Sequence, residues 1–418
     1  MSQTKAQLVS QVSDAQSNTT GGTNAGDSFT GTDATSNTLL GYDAGTAITS
    51  GDANTAIGRN TLKANTTAVK NTCIGAYAGE YGTGVHFHEN VAVGNNALRN
   101  VVDVSENTAV GYEAQETDCG TGNTALGYRA AKNNHSTRLL AIGHNAGLNN
   151  NSWPNTFIGY NAGGVSSDIT GSRTTAVGYD ALSELTSGND NTAIGYQSLR
   201  YTTTGSRNVG LGNNSLEVNT TGENNLALGD EALLANTTAN DNVAIGRKAL
   251  TSNTTGASNT AVGSNALDAN TTGGSNVAIG LGTLGNSTTG GNNTGVGRSA
   301  LNANTTASNN TALGYEALTA NTTGTRNVSV GSNSLLSNTT GNDNTVVGHA
   351  ALDANTTGLN NTAVGAFALT ANTTASFNTG FGYGALASNT TGSNNTAVGD
   401  DALDACTTGA DNTAVGQV

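Results

Sequence analysis

Apolar side chains return along this chain at one fixed interval, and they follow neither a helical stripe nor a simple alternation. From Asn191 to Val418 a 17-residue pattern recurs without a slip: NTAVGSNALDANTTGGS at 259–275, NTALGYEALTANTTGTR at 310–326, NTAVGDDALDACTTGAD at 395–411. Counting from the leading Asn, position 4 is apolar in every copy (Ile194, Leu211, Leu228, Ile245, Val262) and position 5 is Gly. Position 9 is Leu from Leu182 through Leu403, position 3 is nearly always Ala, Gly or Ser, and position 2 is mostly Thr or Val.

Positions 2 to 5 predict a short strand, with β-branched positions 2 and 4 on one face and small positions 3 and 5 on the other. Neither face carries charge, which predicts a strand buried on both sides. Positions 8 and 9, mostly Ala-Leu, predict a second short strand. Positions 12 to 17, NTTGxx, predict the return turn, since Asn, Thr and Gly all favour turns. Gly at position 5 implies either φ > 0 or close approach of another backbone. A helix is excluded, because Gly recurs every few residues and no 3.6-residue apolar stripe exists. A short fixed period marks a repeat architecture. The fold expected is all-β: a parallel β-solenoid in which each repeat is one coil and like positions stack about 4.8 Å apart.

Copies with looser spacing start at Asn37 and continue through Asn54, Asn71, Asn90, Asn107, Asn123, Leu139, Asn155 and Thr174, making 23 in all. This divides the chain into an N-terminal attachment segment and linker (1–36), irregular repeats with loop insertions (37–190) and regular repeats (191–418). The insertions are EYGTGVHFHEN at 80–90, KNNHSTR at 132–138 and the loop holding Trp153 and Pro154. Solenoid insertions map to loops on one face, often the binding face. Trp153 is expected to anchor its loop against its own coil, with a contact role as the alternative.

Composition narrows the function classes. Only 4% of residues are aromatic and 11% charged, which is thin for a compact globule of 418 residues. Strict positional repetition argues against disorder despite that composition. A coil with so few apolar side chains gains from a second apolar surface buried against partner chains, so a homotrimer is expected. The net charge of −14 disfavours nucleic acid or an anionic membrane as partner, and the scattered acids read as a solvated surface. Cys73, Cys119 and Cys406 form no disulfide framework, and Cys73 at a small position reads as a packed thiol. No apolar run long enough for a signal peptide or a membrane span is present.

No catalytic, cofactor-binding or metal-binding set stands out, and the chain is not expected to be an enzyme. His86 and His88 beside Glu89 lack a placed third ligand. GxxxxGK[ST] and the Ca²⁺-binding GGxGxD repeat are both missing. Position 2 alternates irregularly between Thr and Val, which spoils a flat ice-matching Thr array.

The strand motif N-[TV]-A-[VI]-G-x-x-[AS]-L, as in NTAVGSNAL at 259–267, resembles the head repeats of trimeric autotransporter adhesins over nearly all of 37–418. That resemblance implies a left-handed parallel β-roll with three chains intertwined or side by side. The secretion signal, stalk and membrane barrel of those adhesins have no counterpart, so the resemblance bears on fold rather than on a bacterial-surface role. KAQLV near the N-terminus, followed by a polar linker, looks like the start of fibre proteins of tailed bacteriophages. This implies a virion fibre or spike, assembled in the host cytoplasm. Residues 1–36 would hold a capsid or tail protein, and the distal part would meet a host surface glycan or protein. A bacterial cell-surface adhesin or extracellular filament is the alternative.

Overall fold

A computed structural model of the chain describes residues 14–30, 32–84, 86–117, 119–164 and 168–417, and KAQLV lies outside them. Contacts divide the chain into two units, Met1–Arg207 and Asn208–Val418. Each is a parallel β-solenoid, and no helix occurs among the described residues. Strands run from Thr19–Gly21 to Thr192–Ile194 in the first unit and from Val209–Leu211 to Thr413–Val415 in the second. Each has three or four residues and pairs with its neighbour like on like: Thr311 opposite Thr294, Ala312 opposite Gly295, Leu313 opposite Val296. Of the 24 strands, 23 lie beyond Asn37. The additional one, Thr19–Gly21, pairs with Thr38–Leu40. The stretch before Asn37, expected to be attachment segment and linker, therefore contributes a coil of its own.

The two faces of the strand are not equivalent: within the single chain only the inward face is sealed. Position 3 points inward and is sealed from solvent, as at Ala56, Ala244, Ala312 and Ala397. Positions 2 and 4 point outward and stay partly exposed. With Leu at position 9, the inner cross-section in most coils leaves position 3 room for a small side chain, and the bulky residues of positions 2 and 4 lie outside. The rest of the interior comes from positions 8 and 9, such as Ala317 and Leu318, both fully buried.

Positions 8 and 9 do not form the expected second strand. They lie in a turn where positions 7 and 9 both take the left-handed conformation, as at Glu316 (φ 53°) and Leu318 (φ 55°). A left-handed Leu costs about 1–2 kcal/mol, and burial of its side chain offsets that cost. The turn is still tied rung to rung. Leu318 N–H donates to the Ser334 carbonyl at 3.0 Å, and Glu316 N–H donates to the Arg298 carbonyl at 3.0 Å. Backbone groups that a loop would leave to water are thus paired along the stack.

Volume is traded between positions 3 and 9 in three coils of the first unit. Where position 3 is large, position 9 shrinks to Gly: Leu39 faces Gly45, Cys73 faces Gly79, Phe157 faces Gly163. A Cβ added at Gly163 would meet the Phe157 ring at 2.2 Å, and one at Gly45 would meet Leu39 Cδ1 at 2.8 Å. Close packing of this kind leaves no slack for an independent change at either position.

A ladder of buried asparagine at position 1 runs inside each solenoid, and a second, at position 12, runs inside the second unit. At position 1, the Asn310 backbone N–H donates to Asn293 Oδ1 (3.0 Å) and Asn310 Nδ2 donates to the Gly324 carbonyl (2.9 Å). Asn310 Oδ1 in turn accepts from the Asn327 N–H at 3.0 Å. At position 12, Asn321 Nδ2 donates to Asn304 Oδ1 (3.1 Å) and to the same Gly324 carbonyl (2.9 Å). The position-12 ladder is interrupted at Ser287 and ends in Cys406, and the Asn one rung before each, Asn270 and Asn389, has an Oδ1 that is buried without a partner. Ser287→Asn would satisfy Asn270 and replace the long 3.5 Å contact from Asn304 to Ser287 Oγ. We expect a gain of about 1 kcal/mol or more for Ser287→Asn and a smaller one for the less buried Cys406→Asn, read from the denaturation midpoint.

Candidate functional site

Outward-facing position 4 makes an apolar row on each solenoid. In the first unit it includes Ile57, Ile74, Leu126 and Ile194; in the second it includes Leu228, Ile279, Leu313, Val347 and Phe381. Exposure of these side chains runs from 37% to 54%. The row has no covering element among the described residues, and a continuous apolar surface of this kind marks an interaction face.

Beside it in the first unit stands a column of stacked rings at position 6: Tyr112, Tyr128, His144, Tyr160, Tyr179 and Tyr196. Centroids are 4.8–5.4 Å apart and the planes lie within 16° of parallel. The rung spacing itself imposes this offset stacking. Each inner ring has both faces covered by its neighbours, so the column offers edges and hydroxyls rather than a platform. The Tyr112 hydroxyl donates to Glu113, and that bond, with the nearby charge, raises the Tyr112 pKa. Tyr179 is raised chiefly by the charge of Asp180.

The acids are not uniformly solvated, contrary to expectation. Glu80 is buried and takes Arg99 Nε at 2.8 Å. Glu113 takes Arg129 Nε at 2.8 Å and Lys132 Nζ at 2.6 Å. Burial pushes the Glu113 carboxyl upward, but hydrogen bonds from Lys132, Tyr112 and Arg129 outweigh it and hold the pKa below the ordinary range. At the surface, Arg173 grips Asp190 through Nε (2.6 Å) and Nη2 (2.8 Å), which lowers the Asp190 pKa.

The insertions of the first unit open three clefts along the edge formed by positions 13 to 17. One, of about 350 Å³, is lined by Val69, Lys70, His88, Glu89, Ser105 and Glu106. A second, about 360 Å³, shares Glu106 and is lined also by Thr121, Gly122, Thr137 and Arg138. The third, about 480 Å³, is lined by Asn151, Ser152, Trp153, Pro154, Thr170, Ser172 and Arg173.

Trp153 is not the packed anchor that the sequence suggests: 57% of it is exposed. The cause lies in the coil's length. The copies starting at Asn107, Asn123 and Leu139 are one residue short. In the Leu139 coil, Ser152 therefore turns its carbonyl inward to the ladder, accepting from Asn150 Nδ2 at 2.7 Å. In regular coils the residue at position 15 does this, as Gly324 does for Asn321. Trp153 then falls on the outer side of the turn. The Arg138 guanidinium lies over its ring, 5.9 Å from the centroid.

His86 and His88 meet edge to face at 6.2 Å, and Glu89 turns away to Lys70 at 3.0 Å. Among the described residues no three His, Cys, Asp or Glu side chains are grouped to hold a metal ion. Cys73 is buried, and desolvation pushes its thiol pKa up to about 12. No helix is long and apolar enough to cross a membrane among the described residues. The sequence matches no protein-family model and no curated protein.

Proposed function

We propose that this chain is the subunit of a homotrimeric structural fibre or spike of a tailed-phage virion, projecting toward the host surface. The observation that carries the reading is the outward apolar row at position 4. A second copy of the same chain is its best complement, because only that surface repeats apolar side chains at the same rung spacing. Three such rows meeting on one axis would bury them all. The resemblance to adhesin head repeats supports the trimer, and the resemblance of the N-terminal sequence to phage fibre proteins supports the virion.

Sedimentation equilibrium of the purified chain tests the assembly. Three times the monomer mass is expected, and Val347→Glu with Val364→Glu should yield folded monomers by circular dichroism. A wild-type monomer at micromolar concentration overturns the trimer. Antibody labelling of purified particles in the electron microscope tests the location, and its absence from particles overturns the virion assignment.

A further inference from the structure

The clefts around Arg138 and Trp153 have a chemistry that the fibre reading does not use. Trp153 is the only tryptophan in the chain. Unlike the rings of the position-6 column, it has no ring stacked on it among the described residues. Its apolar surface therefore stays open to a ligand. Arg138 is exposed and forms no ion pair among the described residues; its guanidinium lies over the Trp153 ring. Arg173 across the cleft is already neutralised by Asp190. The pair therefore sets one cation without an ion pair beside an indole that is more than half exposed, on a chain whose net charge is −14.

Polar groups with spare capacity surround the indole. Asn151 Oδ1 is held by His135 Nδ1 at 2.6 Å, which leaves its Nδ2 free to donate into the cleft. Ser172 Oγ and Thr170 Oγ1 donate to Asn189 Oδ1 and to the Thr186 carbonyl; Ser172 Oγ already accepts from Arg173 Nη1 at 3.2 Å and keeps one lone pair, and Thr170 Oγ1 can still accept. An open aromatic face with convergent amide and hydroxyl groups suits a sugar ring, whose C–H face carries partial positive charge and whose rim is hydroxyl. An unpaired guanidinium suits a carboxylate or phosphate, which it binds through two parallel hydrogen bonds. Arg138 and Trp153 each line a cleft, of about 360 and 480 Å³, so there is room for more than one sugar unit. Glu106 on the far wall of the Arg138 cleft confines the ligand's acidic group to the Arg138 end.

We infer that the Arg138–Trp153 edge of the first unit is a binding site for an acidic oligosaccharide, with a sugar ring on Trp153 and the acid on Arg138. The site stands independently of the virion reading, since it is argued from the clefts alone.

Trp153 makes the test local, because all tryptophan emission from the chain reports on this site. The purified full-length chain is titrated with oligogalacturonate, with a phosphate-bearing oligosaccharide, and with a neutral oligosaccharide of the same length. A saturable change in emission is expected with at least one acidic probe, at least tenfold weaker with the neutral one. Which acidic probe binds tells carboxylate from phosphate. By calorimetry, Arg138→Gln should weaken acidic-probe binding at least tenfold, and Trp153→Ala should abolish it. Both variants should keep the wild-type Tm, because neither side chain is buried or ion-paired. No response to either acidic probe, equal binding of the neutral probe, or wild-type affinity in Arg138→Gln overturns the proposal.

Discussion

Gly314→Ala should destabilise the second unit by about 3 kcal/mol or more, the sum of a backbone conformation reserved for glycine and a backbone collision. Gly314 sits at φ +145°, and a Cβ there would lie 2.4 Å from the Gly331 carbonyl oxygen of the next coil. That oxygen cannot move aside, because both coils are fixed by the strands that pair through them. The same collision recurs at position-5 glycines within each unit, from Gly22 against Gly41 to Gly178 against Gly195 in the first and from Gly212 against Gly229 to Gly399 against Gly416 in the second. Gly282→Asn is the control. It occupies position 7 at φ +62°, where Asn265 stands one coil earlier, and its added Cβ would come no closer than 3.5 Å to Asn302 Nδ2. Removing that glycine should be neutral or stabilise by up to about 1 kcal/mol. Chemical denaturation of the three proteins decides the matter. A Gly314→Ala protein within 1 kcal/mol of wild type would mean that the stack is looser than described.

Asn310→Ala is the second large effect. The substitution removes the acceptor for the buried Asn327 N–H and one of the two amide donors to the Gly324 carbonyl, and it takes from Asn327 Nδ2 its 3.3 Å bond to Asn310 Oδ1, leaving it the Gly341 carbonyl alone. Two or three buried polar groups left short of partners at about 1–3 kcal/mol each give an expected loss of roughly 4 kcal/mol. Thr311→Ala, next to it on the outward face, should cost under 1 kcal/mol. If Asn310→Ala proved no worse than Thr311→Ala, the ladder would be incidental to stability. Where the chain itself departs from Asn, at Leu139 and Thr174, the backbone N–H still donates to the preceding Asn Oδ1, at 2.8 and 2.9 Å. What such a coil lacks is the acceptor that it would offer to the next one.

Much of this was legible before any coordinates. The period gave the strand, its register and the role of Gly at position 5, because a residue that recurs at every turn of a coil must meet itself. The direction of the faces was not legible. Val and Ile are the largest apolar residues in the repeat, and the usual inference puts them inside. Here Ala244 is enclosed and Ile245 faces out, since Leu250 at position 9 already fills much of the interior of that coil. Leu318 reads as a strand residue in the sequence, since leucine rarely adopts a left-handed backbone; only the packing of its side chain explains the conformation. The Asn ladders were overlooked for another reason. Asn at position 12 reads as turn chemistry and Asn at position 1 as the mere start of the repeat, yet a turn would accept Asp, Ser or Gly, and the frequent return of the amide at both positions is the available signal. Trp153 could not be placed, because its exposure follows from a coil one residue short, whose effect appears only when carbonyls are traced.

The double role of each ladder asparagine has a consequence for how such a chain can change. Every coil offers its successor what it takes from its predecessor. Excising Asn310 to Arg326 as a block would bring Asn293 Oδ1 to the N–H of Asn327, a partner identical to the one it lost. Recombination between coding repeats can therefore lengthen or shorten the array in whole steps without a mismatch at the junction. Gain or loss of a single residue shifts every later side chain off its rung, and has to be absorbed locally, as it is in the turn that carries Trp153.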